Sequence, residues 1–170
     1  QHYLNQRQAE DERILDQGWT VDIQGKVTEN VTLSMTPVPT LHKGDLVVLT
    51  GSIDQASFDK AVIRVQTRYT AVQVFLDDEL IYAYGKDYLD AGKIIGNGYH
   101  WAALPDDYAG KELRIEYLIG EDRAFTSFDQ ILMLDSLQIY GKLLSANMVT
   151  ALIACCLFAI GLVSIMSMLI

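Results

Sequence analysis

Charged side chains are absent from the last 28 residues of this 170-residue chain, positions 143–170. Every Asp, Glu, Lys and Arg lies at or before Lys142. As an α-helix, a run of this length would measure roughly 42 Å, which exceeds the ~30 Å hydrocarbon core of a bilayer. Helices buried in water-soluble domains rarely stay uncharged for so long. The sequence therefore predicts a transmembrane helix over 143–170, with a polar domain on its N-terminal side.

Cysteine is also scarce, and both cysteines, Cys155 and Cys156, lie inside the uncharged segment. The simplest interpretation is that they are small residues compatible with lipid, and palmitoylation is the alternative. Residues 1–142 contain no cysteine. The polar domain therefore needs no disulfide to fold, and it has no thiols that could form incorrect disulfides in an oxidising exterior.

Positive charge is in short supply. The chain has 13 Lys and Arg against 22 Asp and Glu, which gives a formal net charge of −9. An acidic surface repels nucleic acid, so DNA and RNA are excluded as partners. The acidic domain also favours a position outside the cell. We therefore expect a cell-membrane protein whose residues 1–142 are extracytoplasmic.

The short motifs that mark common enzyme classes are missing: there is no Gly-x-Ser-x-Gly elbow, phosphate-binding glycine loop or His-Glu-x-x-His zinc pattern. The three histidines are far apart in the sequence. The acidic pairs at 77–78 and 106–107 fall in predicted turns, where Asp is favoured for backbone reasons. We therefore expect no catalytic residues, no metal site and no cofactor in this segment.

What the chain does have, from Gly18 onward, is a series of short alternating runs separated by turn residues, which predicts strands. The clearest signal is 72–85, where two β-rich runs flank an acidic turn and predict a hairpin. The predicted strands are 19–23, 31–35, 45–53, 61–67, 71–76, the second arm of 72–85, 99–104, 112–119 and 136–140.

About nine short strands with little helix indicate an antiparallel β-sandwich, which we place at 18–141. The polar residues 1–17 are interpreted as a short helical lead-in. The last predicted strand, 136–140, adjoins the span at 143–170 almost without a linker, which predicts mechanical coupling between the sandwich and the helix. The glycine-containing loop 87–98 is the predicted moving part.

Aromatic side chains gather around the hairpin and the strand after it. Aromatic rings beside polar groups can stack on a sugar or another polar ring while neighbouring groups hydrogen-bond to it. Filling of the sandwich core is the alternative for any single ring, since period-2 alternation pairs Tyr82 with Tyr84 and Tyr99 with Trp101 on common faces. The candidate ligand-binding residues are Tyr84, His100, Trp101, Arg123 and Phe125. His100 and Arg123 are the stronger candidates, because burying them would be costly.

Three segments carry a family resemblance: the hairpin at 72–82, the run Gly-Tyr-His-Trp-Ala-Ala-Leu-Pro at 98–105, and Tyr-Ala-Gly-Lys-Glu-Leu-Arg-Ile at 108–115. With them, the stretch 51–140 resembles the galactose-binding-like jelly-roll domains. It is similar to extracellular sensor domains that precede membrane spans in bacterial signalling proteins. It looks most like those of Firmicutes membrane-bound GGDEF diguanylate cyclases, and also like those of some sensor histidine kinases.

The resemblance implies a jelly-roll sensor that binds a small molecule or carbohydrate and relays binding through the transmembrane helix. The chain begins without Met and stops within the uncharged run. We therefore expect a longer protein, with a signal or anchor before Gln1 and a cytoplasmic output domain, a diguanylate cyclase or a histidine kinase, after Ile170. The alternatives are a structural module that forms a homodimer, and a membrane-anchored carbohydrate-active enzyme whose catalytic domain lies elsewhere.

Overall fold

A computed structural model describes residues 12–54, 58–122, 126–137, 147–148 and 150–161. The chain divides into two compact units, Gln1–Asp135 and Ser136–Ile170. The first unit contains ten described strands. They are β1 (Glu12–Leu15), β2 (Trp19–Ile23), β3 (Lys26–Val31), β4 (Leu46–Ser52), β5 (Ala61–Thr67), β6 (Thr70–Leu76), β7 (Glu79–Tyr84), β8 (Gly98–Ala103), β9 (Glu112–Ile119) and β10 (Ile131–Asp135).

The strands form two antiparallel sheets, so the predicted mainly-β sandwich is confirmed. The smaller sheet has four strands in the order β1-β10-β5-β8, and the larger has six in the order β3-β2-β4-β9-β6-β7. Strand β9 shows why these sequences pair in this way. Its residues alternate between buried and partly exposed along the whole strand, which is the period-2 pattern of a strand with one face on a core.

One apolar core lies between the sheets, built from the inward-facing positions of both. Each fully buried aliphatic side chain contributes about 1.5–3 kcal/mol through removal of its surface from water. The largest fully buried side chains are Tyr108, Leu33, Leu41, Leu49, Ile53, Ile63, Leu113, Ile115, Ile119, Ile131, Met133 and Val21. The Tyr108 hydroxyl donates to the Phe58 carbonyl at 2.9 Å and accepts from the Phe58 N–H at 3.0 Å, which satisfies its polar end.

The hairpin predicted at 72–85 is confirmed as β6 and β7 joined by Asp77 and Asp78. Both turn residues have positive φ, 46° and 66°, as a two-residue hairpin turn requires. The Asp77 carboxylate also accepts a hydrogen bond from the Glu112 N–H at 2.9 Å. The turn is therefore tied to the neighbouring strand β9 as well as to its own hairpin.

The helical lead-in over 1–17 is wrong for residues 12–15, which form β1 at the edge of the smaller sheet. Glu12 pairs with Leu134 and Leu15 with Ile131. The partner strand lies more than a hundred residues further along the chain, so local sequence could not reveal the pairing. The remainder of the lead-in before residue 12 lies outside the described residues.

The strand predicted at 31–35 is also wrong in position. The strand is β3, at Lys26–Val31, and Leu33–Met35 is a short 3-10 helix. Asp16 stabilises that turn: its carboxylate accepts from the Ser34 N–H at 2.8 Å and from the Ser34 hydroxyl at 2.6 Å. A side chain 18 positions away thus overrides the local alternation.

The last strand among the described residues is β10, at Ile131–Asp135. Residues 136–137 are helical, and 138–140 lie outside the described residues. The prediction of a strand running directly into the span is therefore wrong at its N-terminal side. The run 131–135 pairs with both β1 and β5, and this double pairing decides its place.

In the second unit, residues 147–148 and 150–161 are helical. Over the described ranges of the chain, the structure contains no helix that is both long and apolar enough to cross a membrane. The span predicted at 143–170 extends over residues outside those ranges, and it stays a prediction.

Candidate ligand-binding site

Strand β8 turns its two central aromatic residues to opposite faces of the smaller sheet. Successive side chains of a strand point to opposite sides, and here His100 faces the core with 6% of its surface exposed, while Trp101 faces outward with 43% exposed. The sequence-predicted residues therefore divide into two groups. His100 and Tyr84 lie together, Trp101 lies on the other face, and Arg123 and Phe125 fall outside the described residues.

His100 is hydrogen-bonded at both ring nitrogens. Its Nδ1 lies 2.9 Å from the Tyr82 hydroxyl and its Nε2 lies 2.8 Å from the Thr67 hydroxyl. A neutral imidazole has one donor nitrogen and one acceptor nitrogen, and a hydroxyl can hydrogen-bond to either of them. Burial lowers the pKa of His100 below its usual value of 6.5, which keeps the ring neutral. The expected cost of burying this residue is thus offset by two hydroxyl partners.

An inner aromatic cluster lies where β7 and β8 meet, and it consists of Tyr82, Tyr84, Tyr88 and His100. The ring centroids of Tyr84 and His100 are 4.5 Å apart, and those of Tyr84 and Tyr88 are 6.3 Å apart. Burial, with a smaller contribution from Tyr84, raises the pKa of Tyr82. Tyr88, 51% exposed, forms the solvent side of the cluster, so a ligand would meet a tyrosine ring before it met the histidine.

The segment after β7 positions Tyr88. It begins with α1 (Lys86–Asp90) and continues into an irregular stretch, so the predicted loop 87–98 is helical at its start. Gly85 precedes the helix at a φ of +87°, and a Cβ there would lie 2.6 Å from the Ile95 Cδ1. The buried Ile95 therefore packs against bare backbone, which holds the stretch after α1 close to the sheet.

Arg64, Tyr99 and Trp101 form an outer aromatic face on the opposite side of the smaller sheet. Arg64 of β5 pairs directly with Trp101 of β8. Its guanidinium carbon lies 5.1 Å from the Tyr99 ring centroid and 6.0 Å from that of Trp101. Tyr99 is 58% exposed. Two rings and a guanidinium thus share one solvent-facing surface on paired strands.

Arg64 differs from Arg114 in the use of its donors. Arg114 stacks on Phe75 at 4.1 Å and bonds both Asp78, at 2.9 Å, and Glu116. Arg64 makes no ion pair within the part of the chain that the structure describes. A guanidinium carries five N–H donors, so this one retains donors for a ligand that lies on the rings beside it.

Sequence reasoning missed Arg64. Tyr99 and Trp101 share a face by simple alternation, which the sequence shows, but Arg64 joins them only through the register of β5 against β8. No local pattern states that register. The sequence therefore predicts that Tyr99 and Trp101 share the outer aromatic face, and only the tertiary structure adds Arg64 to it.

The described ranges contain no group of three or more His, Cys, Asp or Glu side chains able to hold a metal ion. The sequence matches no protein-family model and no curated protein.

Proposed function

We propose that this chain is the extracytoplasmic sensor region of a membrane-anchored bacterial signalling protein, with a carbohydrate or similar polar ring as its ligand. The outer aromatic face carries this proposal. Aromatic rings stack on the C–H faces of a sugar, and nearby N–H donors bind its hydroxyls. Tyr99 and Trp101 supply the rings, and Arg64 supplies the donors.

Rigidity of the face supports the same function. Strands β5 and β8 pair continuously from Val62 with Ala103 to Thr67 with Gly98, so β8, the edge strand of the smaller sheet, is paired with β5 along its whole length. Sites built on strands hold their side chains more closely than sites on loops. The backbone that carries these side chains therefore needs little reordering on binding.

Signalling and membrane anchoring are supported by the uncharged run 143–170 and by the resemblance to bacterial sensor domains with a jelly-roll topology. Under this proposal the run is the transmembrane helix, and the output domain beyond Ile170 is a diguanylate cyclase, with a histidine kinase as the alternative. A ligand shifts such a helix only if it binds two arrangements of the protein with different affinity.

Tryptophan fluorescence provides a direct test. Of the two tryptophans, Trp19 is 3% exposed and Trp101 is 43% exposed, so an added ligand should change mainly the Trp101 signal. The chain is reconstituted in neutral-lipid nanodiscs and titrated with glucose, galactose, N-acetylglucosamine and glucuronate. We expect a saturable change with at least one of them, and roughly tenfold weaker binding after Tyr99→Ala or Arg64→Gln.

Tyr88→Ala is the matched control, because Tyr88 is an exposed tyrosine of the inner aromatic cluster. It should leave the titration unchanged. Loss of binding in Tyr88→Ala with no effect of Tyr99→Ala would move the site to the inner cluster. A parent protein that responds to no sugar at any concentration would contradict the carbohydrate proposal.

Self-association is a second function that one observation favours. A row of directly paired residues, Ile14, Leu132, Arg64 and Trp101, crosses the outer side of the smaller sheet. Ile14 and Trp101, at the two ends of the row, are 50% and 43% exposed, whereas Leu132 between them is buried, so each end presents an exposed apolar side chain. A dimer in sedimentation that both Ile14→Asp and Trp101→Ala disrupt, in a protein without a sugar response, would favour a dimerisation module.

A further inference from the structure

A cavity lies at the β3–β2 end of the larger sheet, opposite the end formed by β7 and its tyrosines. It has a volume of about 500 Å³ and lies between the β2–β3 hairpin and residues 36–39. Such a volume falls within the range of small-molecule sites. We refer to it as the hairpin cleft.

The floor of the hairpin cleft is apolar. Val21 is buried, and Ile23 and Val38 are half-buried and pack against the core. Val21 pairs with Thr28 and Ile23 with Lys26, so these four side chains share one face of the sheet. Thr28 and Lys26 are nevertheless exposed. The opposing sheet therefore leaves this end of the inner face uncovered.

The wall at 36–39 cannot close the cleft by strand pairing. Pro37 and Pro39 have no N–H and hold their own φ angles fixed. Both line the cleft. A further strand therefore cannot hydrogen-bond continuously along this wall. The space between the wall and β3 can instead be filled by an apolar side chain or by the apolar part of a ligand.

Charge selects the class of ligand. Among the described residues that line the hairpin cleft, Lys26 is the only charged one and none is a carboxylate. Within the described ranges, Lys26 forms no ion pair. On a protein with a formal net charge of −9, a lone ammonium beside an apolar floor is a local exception. It attracts an anionic group, while the floor takes up the hydrocarbon.

We propose that the hairpin cleft binds a small apolar carboxylate in free solution, with its hydrocarbon on Val21, Ile23 and Val38 and its carboxylate beside Lys26. The ligand is recognised by one negative charge and an aliphatic body. This site is separate from the outer aromatic face, so the protein would respond to two chemically different classes of small molecule.

Methyl NMR on the full chain in neutral-lipid nanodiscs tests the proposal, with octanoate, octanol and octylamine as matched probes. Octanoate should saturably shift the methyl signals of Val21, Ile23 and Val38, and octanol should bind more weakly. Lys26→Gln should weaken octanoate binding roughly two- to fivefold, to the level of octanol, because an exposed ion pair contributes a small free energy.

Val38→Asn should abolish the shifts at Val21 and Ile23. Its control is Val27→Asn, an exposed valine that pairs with Asp22 on the other face of the hairpin, and this variant should bind as the parent does. The proposal is overturned if octanoate leaves the three methyl signals unmoved. It is also overturned if octylamine binds as tightly as octanoate, or if only anionic lipid in the disc moves these signals.

Discussion

A buried histidine with two hydroxyl partners makes His100 a pH-sensitive point of the fold. Burial lowers its pKa in the folded chain, whereas the histidine of the unfolded chain titrates near 6.5. Below that pH the unfolded state binds a proton that the folded state does not bind. The free energy of unfolding therefore decreases as the pH falls through 6.5, until the pH reaches the lower pKa of the folded state.

Chemical denaturation of the parent between pH 7 and pH 5.5 should show this decline, at no more than about 1.4 kcal/mol per pH unit for a single proton. His100→Gln should remove the contribution of this residue and flatten the profile. His42→Gln, at an exposed histidine, should retain the decline. An equal slope in the parent and in His100→Gln would contradict the assignment.

Gly120 is a second residue at which one added atom should change the stability of the fold. A Cβ there would collide with the Tyr69 carbonyl oxygen and lie 2.9 Å from the Leu89 Cδ2. Gly120 donates its own N–H to that carbonyl at 2.9 Å, so the backbone cannot move away freely. We expect Gly120→Ala to lower the free energy of unfolding by about 2 kcal/mol or more.

Gly96 provides the control for that substitution, because a Cβ there meets nothing within 4 Å. Gly96→Ala should change the stability by less than about 0.5 kcal/mol. Urea denaturation of both variants measures the difference. Equal stabilities would mean that Tyr69 can shift at little cost.

At the scale of the element, the β6–β7 hairpin depends on Asp77 for two reasons. Asp tolerates its positive φ of 46° better than most residues do, and its carboxylate accepts from the Glu112 N–H at 2.9 Å. Asp77→Ala removes both and should destabilise the fold by about 1–2 kcal/mol. Asp77→Asn retains a carbonyl acceptor and the same backbone tolerance, so thermal denaturation should place it close to the parent.

The elements also show where sequence reading succeeds. The sequence predicts strands β2, β5 and β9 with the bounds that the structure gives them, because each has a strong alternation or a continuous buried run. Strand β1 and the turn at Leu33–Met35 were misassigned, because each depends on a partner distant in the chain, β10 in one case and Asp16 in the other. Local pattern cannot encode a long-range partner.

At the scale of the whole molecule, the stability of the first unit should not need the second. Its core cluster is contained between Trp19 and Met133. We expect a fragment of residues 1–142 to fold with a melting temperature within a few degrees of the full chain, since core burial supplies most of the stability of a domain. Circular dichroism on both proteins measures this, and an unfolded fragment would show that the second unit is required.

The sequence by itself determined the β-rich class, the hairpin turn, the acidic surface and the uncharged segment 143–170, because composition and short-period alternation are local properties. Only the tertiary structure decided which side chains meet. It separated His100 from Trp101, joined Arg64 to Tyr99 and Trp101, and placed Lys26 at the edge of the hairpin cleft. Strand register and sheet order bring distant residues together, and neither is written in the pattern of any single strand.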